Sequence, residues 1–504
     1  MKSISKKFAI RRNLDSLLAG LVGFLIIYVF TNHSGVGISP DSVVYLSASR
    51  NWLSGKGFFQ FDHVPMVDFP VLYPIFLGIV SLISRLDPLS YATFVNGLLY
   101  ASLIYISGAM MNGFSFLSLW YKRILLSVIV LSPCLLEIYP MLWSETLFLI
   151  FSLLFILLLT EYFRSHSTRT LMWTAFIAAL ACVTRYAGVA LIATGGLLII
   201  IDAHLPSGRK LRDLSIFSGL GISLLVLNLM RNRMVSGFLT GARQKGTTPL
   251  LDNLYYYGVV LCDWLPITKN NRAIALTIAL VTILLLMAFC IWFVLIRAYS
   301  HGYESVSASF FLLYAFFMIL SATVSRYQEL NSRLLAPLFI PFIWSISFWI
   351  PKWIKSLSHA GKVLVIAAAL IFFLAFQYNQ LAADYETYDG VKDAGVPGYT
   401  EDPFPQSHIV RFIIDNRSKF RAGYMIYSNA GDAVYFFTGL SANLLPEVVF
   451  PKEIQKYYAG NHQYLVWFND IDNPDVLSLQ EILSHKRLVP VIVFPDGAVY
   501  TTGD

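Results

Sequence analysis

The sequence predicts a polytopic α-helical membrane protein with a small α/β domain at its C-terminal end. Of the 504 residues, 56% are hydrophobic and only 13% are charged, a composition that suits lipid better than water. About eleven apolar runs approach the length of roughly 20 residues that crosses a bilayer. Beyond residue 380 the chain becomes polar and rich in turn residues. We therefore predict a transmembrane domain, residues 1–380, and an extracytoplasmic domain, residues 381–504.

The predicted spans follow one another along most of the transmembrane domain. They lie near residues 14–31, 89–111, 124–142, 145–160, 170–183, 186–202, 214–230, 273–296, 306–324, 334–350 and 363–379. A further apolar segment, residues 71–86, is short and has prolines on both sides of Tyr73. Its length fits either a short span or a helix that lies in the membrane interface.

Lysine and arginine residues favour the interfacial position for residues 71–86. With that position, the basic N-terminus and the loops around Lys122, Arg164, Arg209 and Lys352 all face the cytoplasm, as the positive-inside rule requires. If residues 71–86 cross the membrane, most of these basic loops face outside. We therefore predict eleven spans, an interfacial helix in the first outer loop, a cytoplasmic N-terminus that is a retained signal anchor, and a C-terminus on the outer side.

The charge and the cysteines exclude several other classes of protein. The net charge of +7 does not indicate nucleic-acid binding, because the basic residues cluster between apolar runs. The four cysteines have neither metal-ligand spacing nor the pattern of a disulfide framework. Together with the lack of a eukaryotic retention signal, this favours a bacterial inner membrane.

Three short runs predict strands in the C-terminal domain. The runs are YMIYSNAG, QYLVWFND and VPVIVF. Each is rich in β-branched and aromatic residues, and turn signals separate them. We therefore expect a small α/β domain outside the cytoplasm, in the periplasm or the extracellular space.

Polar residues next to the apolar runs fall on the predicted outer side. Ionisable residues near membrane depth are costly and usually functional, so their shared side indicates an outward-facing site. The candidate site residues are Asp41, Tyr45, Asp68, Glu145, Arg185, Arg243, Lys245, Arg326, Glu329 and Arg333.

Simpler explanations exist for the individual residues. Asp41 would be well placed to cap a helix, and Glu145 would interact well with a helix N-terminus. Arg185 fits an arginine that snorkels to the lipid headgroups. Arg243 and Lys245 fit either a solvated loop or a phosphate site completed by the neighbouring glycines. Only the placement of all these residues on the same predicted side of the membrane favours a functional site.

Several segments, taken in order, resemble a known family. They are DSVVYLSASRNWLSGKGF, DFPVLYPIFLGIVSLI, WSETLFLIFSLLFILL, VTRYAG, RNRMVSGFLTGARQKGTTPLLDN and SRYQELNSRLLAPLFIPF. In this order they resemble the GT-C glycosyltransferases, integral-membrane enzymes that include protein O-mannosyltransferases and the aminoarabinose transferase of lipid A. The similarity covers about residues 14 to 380. A weaker similarity extends to IYSNAGDAVYFFTGLSANLLP in the predicted outer domain.

The resemblance implies a GT-C-like fold and a hexosyl- or pentosyltransferase. Enzymes of this family take a sugar from a polyprenyl-phosphate carrier on the outer side of the membrane. They transfer it, usually with inversion, to a hydroxyl of a lipid, glycan or protein. The implied partners are therefore this lipid-linked donor, such an acceptor and membrane lipids.

The resemblance also suggests roles for particular residues. An acidic residue of the first outer loop serves as general base or helps to place a divalent metal, and Asp41 matches it. The family's common Asp-Glu pair is here Asp41-Ser42, which favours a metal-independent base and leaves Mg²⁺ or Mn²⁺ open. Tyr45 and other aromatic residues offer flat faces to a sugar, although membrane interfaces also recruit them.

The phosphate of the departing carrier needs positively charged residues around it. Departure of the carrier leaves negative charge on a phosphate oxygen, and fixed cations stabilise such a charge. The candidates are Arg243, Lys245, Arg326 and Arg333, and we expect Glu329 to orient one of these arginines or to contact the sugar.

Two other functions remain as alternatives. A lipid or solute transporter usually has interrupted helices in two related halves, and the sequence shows no internal duplication. A polysaccharide polymerase or O-antigen ligase also uses polyprenyl carriers, with a large central outer loop. Residues 231–272 form a loop of only moderate size.

Overall fold

In the computed structural model the chain forms two compact units. The structure describes residues 13–114, 118–265, 267, 271–292, 302–326, 328–347 and 349–502. The basic residues of the predicted signal anchor lie outside the described residues. The first unit, here called the membrane unit, comprises residues 1–30, 67–73 and 93–389. The second unit comprises residues 31–66, 74–92 and 390–504.

Helices make up most of the chain. Up to residue 236 they are α1 (Leu14–Phe30), α2 (Pro40–Leu53), α3 (Leu72–Ser84), α4 (Pro88–Met111), α5 (Leu119–Val130), α6 (Pro133–Ile138), α7 (Glu145–Ser165), α8 (Thr168–Thr184), α9 (Val189–Ile201) and α10 (Ser207–Ser236). Next come α11 (Leu250–Trp264), α12 (Arg272–Cys290), α13 (Tyr303–Val324), α14 (Ser332–Leu335), α15 (Phe339–Ser347), α16 (Trp349–Ser356) and α17 (His359–Ala394). The last are α18 (Pro403–Gln406), α19 (His408–Asp415), α20 (Gly431–Thr438), α21 (Pro451–Ala459) and α22 (Leu479–His485).

Length and composition identify the helices that suit a bilayer. Among the described residues, seven helices are long and apolar enough to cross one: Pro88–Met111, Leu119–Ile138, Glu145–Ser165, Ser207–Ser236, Arg272–Cys290, Tyr303–Val324 and His359–Ala394. Shorter apolar helices are Leu14–Phe30, Leu72–Ser84, Thr168–Thr184, Tyr186–Ile201 and Ser332–Ser345. The chain is therefore a multi-pass membrane protein, as predicted. The count of eleven spans and the interfacial position of Leu72–Ser84 remain predictions.

The span predicted near residues 124–142 overlaps the apolar segment Leu119–Ile138, which is divided into two helices. Helix α5 ends at Val130 and α6 begins at Pro133, because proline has no N–H to continue the ladder to the carbonyl of Ile129. The hydroxyl of Tyr100 instead donates to the carbonyls of Ile129 and Val130, each at 2.9 Å. A buried side chain thus satisfies the backbone where the helix breaks.

The second unit joins the first loop to the C-terminal part of the chain. The N–H of Tyr399 donates to the carbonyl of Ile38 at 2.8 Å, and the hydroxyl of Thr400 donates to the carbonyl of Val36 at 3.0 Å. Helix α17 continues past residue 380 to Ala394. Residues 31–66 therefore fold together with residues 390–504.

A five-stranded mixed sheet lies in the second unit. Its strands are β1 (Met425–Ser428), β2 (Asn443–Leu444), β3 (Gln463–Phe468), β4 (Val489–Phe494) and β5 (Gly497–Thr501), in the order β2-β1-β3-β5-β4. Strand β1 is parallel to β2 and β3, whereas β5 is antiparallel to β3 and β4. The three predicted strand runs contain β1, β3 and β4, so the small α/β domain is confirmed.

We expect Gly398→Ala to destabilise the second unit. Gly398 has a φ of +113°, and a Cβ there would lie 2.3 Å from the carbonyl oxygen of Ile38. Gly423→Ala is the matched control: its φ is +88°, but nothing lies within 4 Å of its Cβ, so only backbone strain of about 1–2 kcal/mol applies. The measurement is hydrogen–deuterium exchange in peptides covering residues 390–402 and 420–428. Exchange over residues 390–402 in Gly398→Ala should increase more than exchange over residues 420–428 in Gly423→Ala. Equal exchange in the two variants would contradict the close approach.

Candidate functional site

A buried carboxylate of the membrane unit lies between two arginines. Glu145 begins helix α7, and its side chain is 1% exposed. Its Oε1 lies 2.6 Å from Nη1 of Arg185 and 2.5 Å from Nε of Arg333. These three residues form an ion triad with one positive charge in excess.

Two neighbours of Glu145 hold the arginines in place. The Cζ of Arg333 lies 3.8 Å from the ring centroid of Trp143, and Nη1 of Arg185 donates to Oγ of Ser144 at 3.2 Å. Cation–π and charge-assisted contacts of this kind restrict the direction of a guanidinium. Arg185 is therefore not merely a snorkelling arginine, and Glu145 does more than complement a helix dipole.

The triad forms where helices end. Arg185 follows α8 in extended backbone, with φ of −146° and ψ of 136°. Arg333 lies in the short helix α14, which is capped by Asn331 through a bond from the N–H of Leu334 at 3.1 Å. Helix ends place side chains in the gaps between packed helices, so three separate turns bring their charges to one point.

Lys245 and Arg326 lie on adjacent backbone segments of the membrane unit. Lys245 and Ser325 form an isolated antiparallel bridge. The N–H of Arg326 donates to the carbonyl of Gln244 at 3.0 Å, and its Nη1 donates to Oε1 of Gln244 at 2.8 Å. Arg243, Lys245 and Arg326 are exposed, so these cations are accessible to a ligand.

Asp68 lies against the loop that contains Arg243 and Lys245. Gly241 has a φ of +78°, and a Cβ there would lie 1.7 Å from Oδ1 of Asp68. The preceding residue, Val67, accepts a hydrogen bond from the hydroxyl of Tyr186 at 2.8 Å. Nδ2 of Asn232 lies 2.9 Å from the same hydroxyl. These contacts fix the segment that carries Asp68.

An open cavity of about 670 Å³ borders Glu329. Its polar lining includes Glu137, Tyr255, Tyr256, Asp263 and Glu329. The hydroxyl of Tyr256 donates to Oε1 of Glu329 at 2.7 Å, and this bond raises the pKa of Tyr256. Glu329 thus accepts a hydrogen bond from Tyr256, and the two roles expected for it stay predictions.

Asp41 and Tyr45 lie on helix α2 in the second unit. The N-cap of α2 is Ser39, whose Oγ accepts from the N–H of Ser42 at 3.5 Å, while Oγ of Ser42 accepts from the N–H of Ser39 at 3.1 Å. The cap is therefore made by two serines, and Asp41, half-buried in the first turn, is not the capping residue. Tyr45 is 1% exposed, so its ring is buried.

The described residues form no ready-made cage of ligands for a divalent metal. No group of three or more His, Cys, Asp or Glu side chains is placed among them to hold an ion, whereas Mg²⁺ and Mn²⁺ prefer several oxygen ligands. Ser42 follows Asp41 where the family pair has its second carboxylate, and its hydroxyl takes part in the helix cap. We assign no step to a metal.

Three neutral partners of the site were missed by sequence reasoning. Ser144 and Gln244 adjoin predicted residues, so proximity in the sequence was a usable signal. Tyr256 is one of three consecutive tyrosines, and nothing in that run distinguishes the one that reaches Glu329.

The whole chain is similar to a solved membrane protein. It matches ArnT from Cupriavidus metallidurans bound to undecaprenyl phosphate, with a TM-score of 0.58 and 11% identity, over 96% of this chain and 97% of that chain. The apo state of ArnT gives a TM-score of 0.58 at 12% identity with the same coverage. No family model and no curated protein matches the sequence. The likeness confirms that the chain has the GT-C fold.

We expect Glu145→Gln to destabilise the protein by about 3 kcal/mol, because it leaves two largely buried arginines without their anion. Glu386→Gln is the matched control, since Glu386 is an exposed carboxylate of the same unit and surface changes stay within about 0.5 kcal/mol. The apparent Tm of the purified proteins in detergent measures the difference. Equal values for the two variants would show that the triad does not stabilise the membrane unit.

Proposed function

We propose that this chain is a glycosyltransferase that moves a hexosyl or pentosyl group from a polyprenyl-phosphate donor to a hydroxyl of a lipid, glycan or protein. The observation that carries the proposal is the whole-chain likeness to ArnT, whose crystal structure contains undecaprenyl phosphate. The same likeness favours sugar transfer over transport or polysaccharide polymerisation. A fold hosts more than one function, so the residues of the site must support the chemistry as well.

The cations of the membrane unit suit the phosphate of such a donor. Arg243, Lys245 and Arg326 are exposed and lie on linked backbone segments. Arg333 is already oriented by Glu145 and Trp143. Fixed cations need little reorganisation when negative charge develops on the leaving phosphate, and arginine binds phosphate with its planar fork.

The polar cavity beside Glu329 suits a sugar. Its volume of about 670 Å³ lies within the range of about 300–1,000 Å³ that is usual for small-molecule sites. Carboxylates such as Asp263 and Glu329 accept hydrogen bonds from sugar hydroxyls, and Tyr255 and Tyr256 add flat faces and hydroxyls. We assign this cavity to the sugar of the donor or of the acceptor.

Asp41 is our candidate for the proton acceptor. In the transfer, the acceptor oxygen forms a bond to the anomeric carbon, and the bond from that carbon to the phosphate oxygen breaks with its electron pair. The proton of the acceptor hydroxyl passes to Asp41, and attack opposite the leaving group inverts the anomeric centre. A positioned carboxylate typically contributes about 10²–10⁴-fold to such a step.

We further infer a bacterial inner membrane as the location, with the N-terminus in the cytoplasm and the C-terminal residues in the periplasm or outside the cell. The distribution of Lys and Arg between the loops supports this orientation. Delivery of a lipid-linked sugar at the outer leaflet agrees with a polar site on that side.

We expect Asp41→Asn to abolish transfer at a normal protein level, because the neutral amide cannot accept the proton. The measurement is mass spectrometry of envelope glycans and polyprenyl-phosphate sugars in a strain that lacks the gene and carries either wild type or a variant. Loss of one sugar from an acceptor, with accumulation of its lipid-linked donor, should be reversed by wild type alone.

Asp87→Asn serves as the control for that experiment. Asp87 pairs with Arg50 in the second unit, Oδ2 to Nη2 at 2.8 Å, with both side chains well exposed, so the pair adds little stability and full transfer is expected. Full transfer by Asp41→Asn would refute the base assignment. Unchanged glycans in the strain without the gene would refute the proposed function itself.

A further inference from the structure

A pocket of about 330 Å³ lies on the sheet of the second unit and includes none of the candidate site residues. Tyr464 of β3 lies opposite Thr501 of β5, and Thr501 lies opposite Val489 of β4. All three line the pocket, and residues directly opposite one another share a face of a sheet. The floor of the pocket therefore crosses β3, β5 and β4, and it ends at β4, an edge strand.

The pocket is open because helix α19 covers only part of this face. Phe412 of α19 packs on Phe494 at the end of β4, with ring centroids 5.9 Å apart. The helix ends at Asp415, and at the start of β4 Val489 and Val491 remain 50% and 48% exposed. The segment after the helix supplies part of the wall, through Asn416, Lys419, Phe420 and Arg421.

Aromatic rings form a continuous cluster at the pocket. The ring centroid of Tyr464 lies 4.9 Å from that of Phe420 and 5.3 Å from that of Tyr424. Tyr464 and Phe420 line the pocket themselves. The face of an aromatic ring carries negative charge density, so it attracts the polarised C–H groups on the flat side of a sugar ring. The cluster therefore suits a saccharide.

Two cations lie beside these rings. Lys419 and Arg421 line the pocket and are exposed, and of the described residues that line it none is acidic. Nη1 of Arg421 donates to the hydroxyl of Tyr424 at 3.2 Å, and Cζ of Arg421 lies 5.6 Å from the centroid of that ring. These contacts hold the guanidinium beside the aromatic cluster. A guanidinium binds a carboxylate or a phosphate with its planar fork, so the pocket favours an anionic ligand.

We propose that this pocket binds a saccharide that carries a negative charge, as a carboxylate or a phosphate. The rings and the valines contact the C–H surface of the sugar, and Lys419 and Arg421 contact its charged group. The volume of the pocket lies within the range of about 300–1,000 Å³ that is usual for small-molecule sites. A neutral sugar would leave the cations without an anion, and a small inorganic anion would leave the rings uncovered. This binding goes beyond the proposed function and does not depend on it.

The test measures the binding of small probes to the purified full-length protein in detergent by saturation-transfer difference NMR. The probes are glucuronic acid, glucose 6-phosphate, glucose, acetate and the peptide triglutamate. The variant combines Lys419→Gln with Arg421→Gln. Arg417→Gln is the matched control, since Arg417 is an exposed cation of the same segment that does not line the pocket. Surface changes of this kind alter stability little, so all these proteins should fold. The binding that the double variant loses belongs to the pocket and not to another sugar site.

We expect at least one of the two acidic sugars to bind the wild-type protein about tenfold more tightly than glucose or acetate does, because it alone satisfies both the rings and the cations. The double variant should weaken this binding by about tenfold. Arg417→Gln should leave it unchanged. A preference between glucuronic acid and glucose 6-phosphate would identify the charged group that the pocket takes.

Three results would overturn the inference. Equal binding of the acidic sugars and glucose would show that the cations select nothing. Binding of acetate or triglutamate as tight as that of the acidic sugars would indicate a site for simple anions or for an acidic peptide. Binding of the acidic sugars that is unchanged in the double variant would place them elsewhere on the protein. None of these results bears on the proposed function, which the strain without the gene tests separately.

Discussion

The membrane unit depends on the rule that a buried charge must be paired. Glu145 is almost fully buried, and its carboxylate binds Arg185 and Arg333 from two other turns of the chain. The same rule applies elsewhere in this unit, where Nζ of Lys122, 1% exposed, lies 2.8 Å from Oδ1 of Asp15. Because an unpaired ion in an apolar interior costs several kcal/mol, these contacts restrict how the helices around them can pack.

The second unit shows how a membrane protein can build one compact structure from distant parts of its sequence. Thr400 and Val36 are hydrogen-bonded although 364 residues separate them. The helix that carries Asp41 packs against α20 in the same unit, so residues beyond 390 shape the surroundings of a residue near position 40. The C-terminal residues are therefore part of the surroundings of the candidate base.

The likeness to ArnT extends over the whole chain at only 11% identity. A fold of this kind tolerates extensive replacement because helix length, apolar character and satisfied backbone groups are its main requirements in a bilayer. Individual positions carry more information where a polar group is buried or the backbone turns sharply. Glu145, which is buried and paired, and Gly398, where the backbone turns against Ile38, are positions of this kind.

The sequence by itself determined the polytopic helical class and the strands β1, β3 and β4, since each follows from local patterns of apolar, β-branched and turn residues. It also indicated candidate charged residues, among them Glu145, Arg333 and Glu329. The tertiary structure alone decided their partners: Glu145 with two arginines and Glu329 with Tyr256. The physical reason is that helix and strand preferences act between near neighbours, whereas ion pairs and hydrogen bonds join residues far apart in the chain, whose pairing is set only when the helices pack.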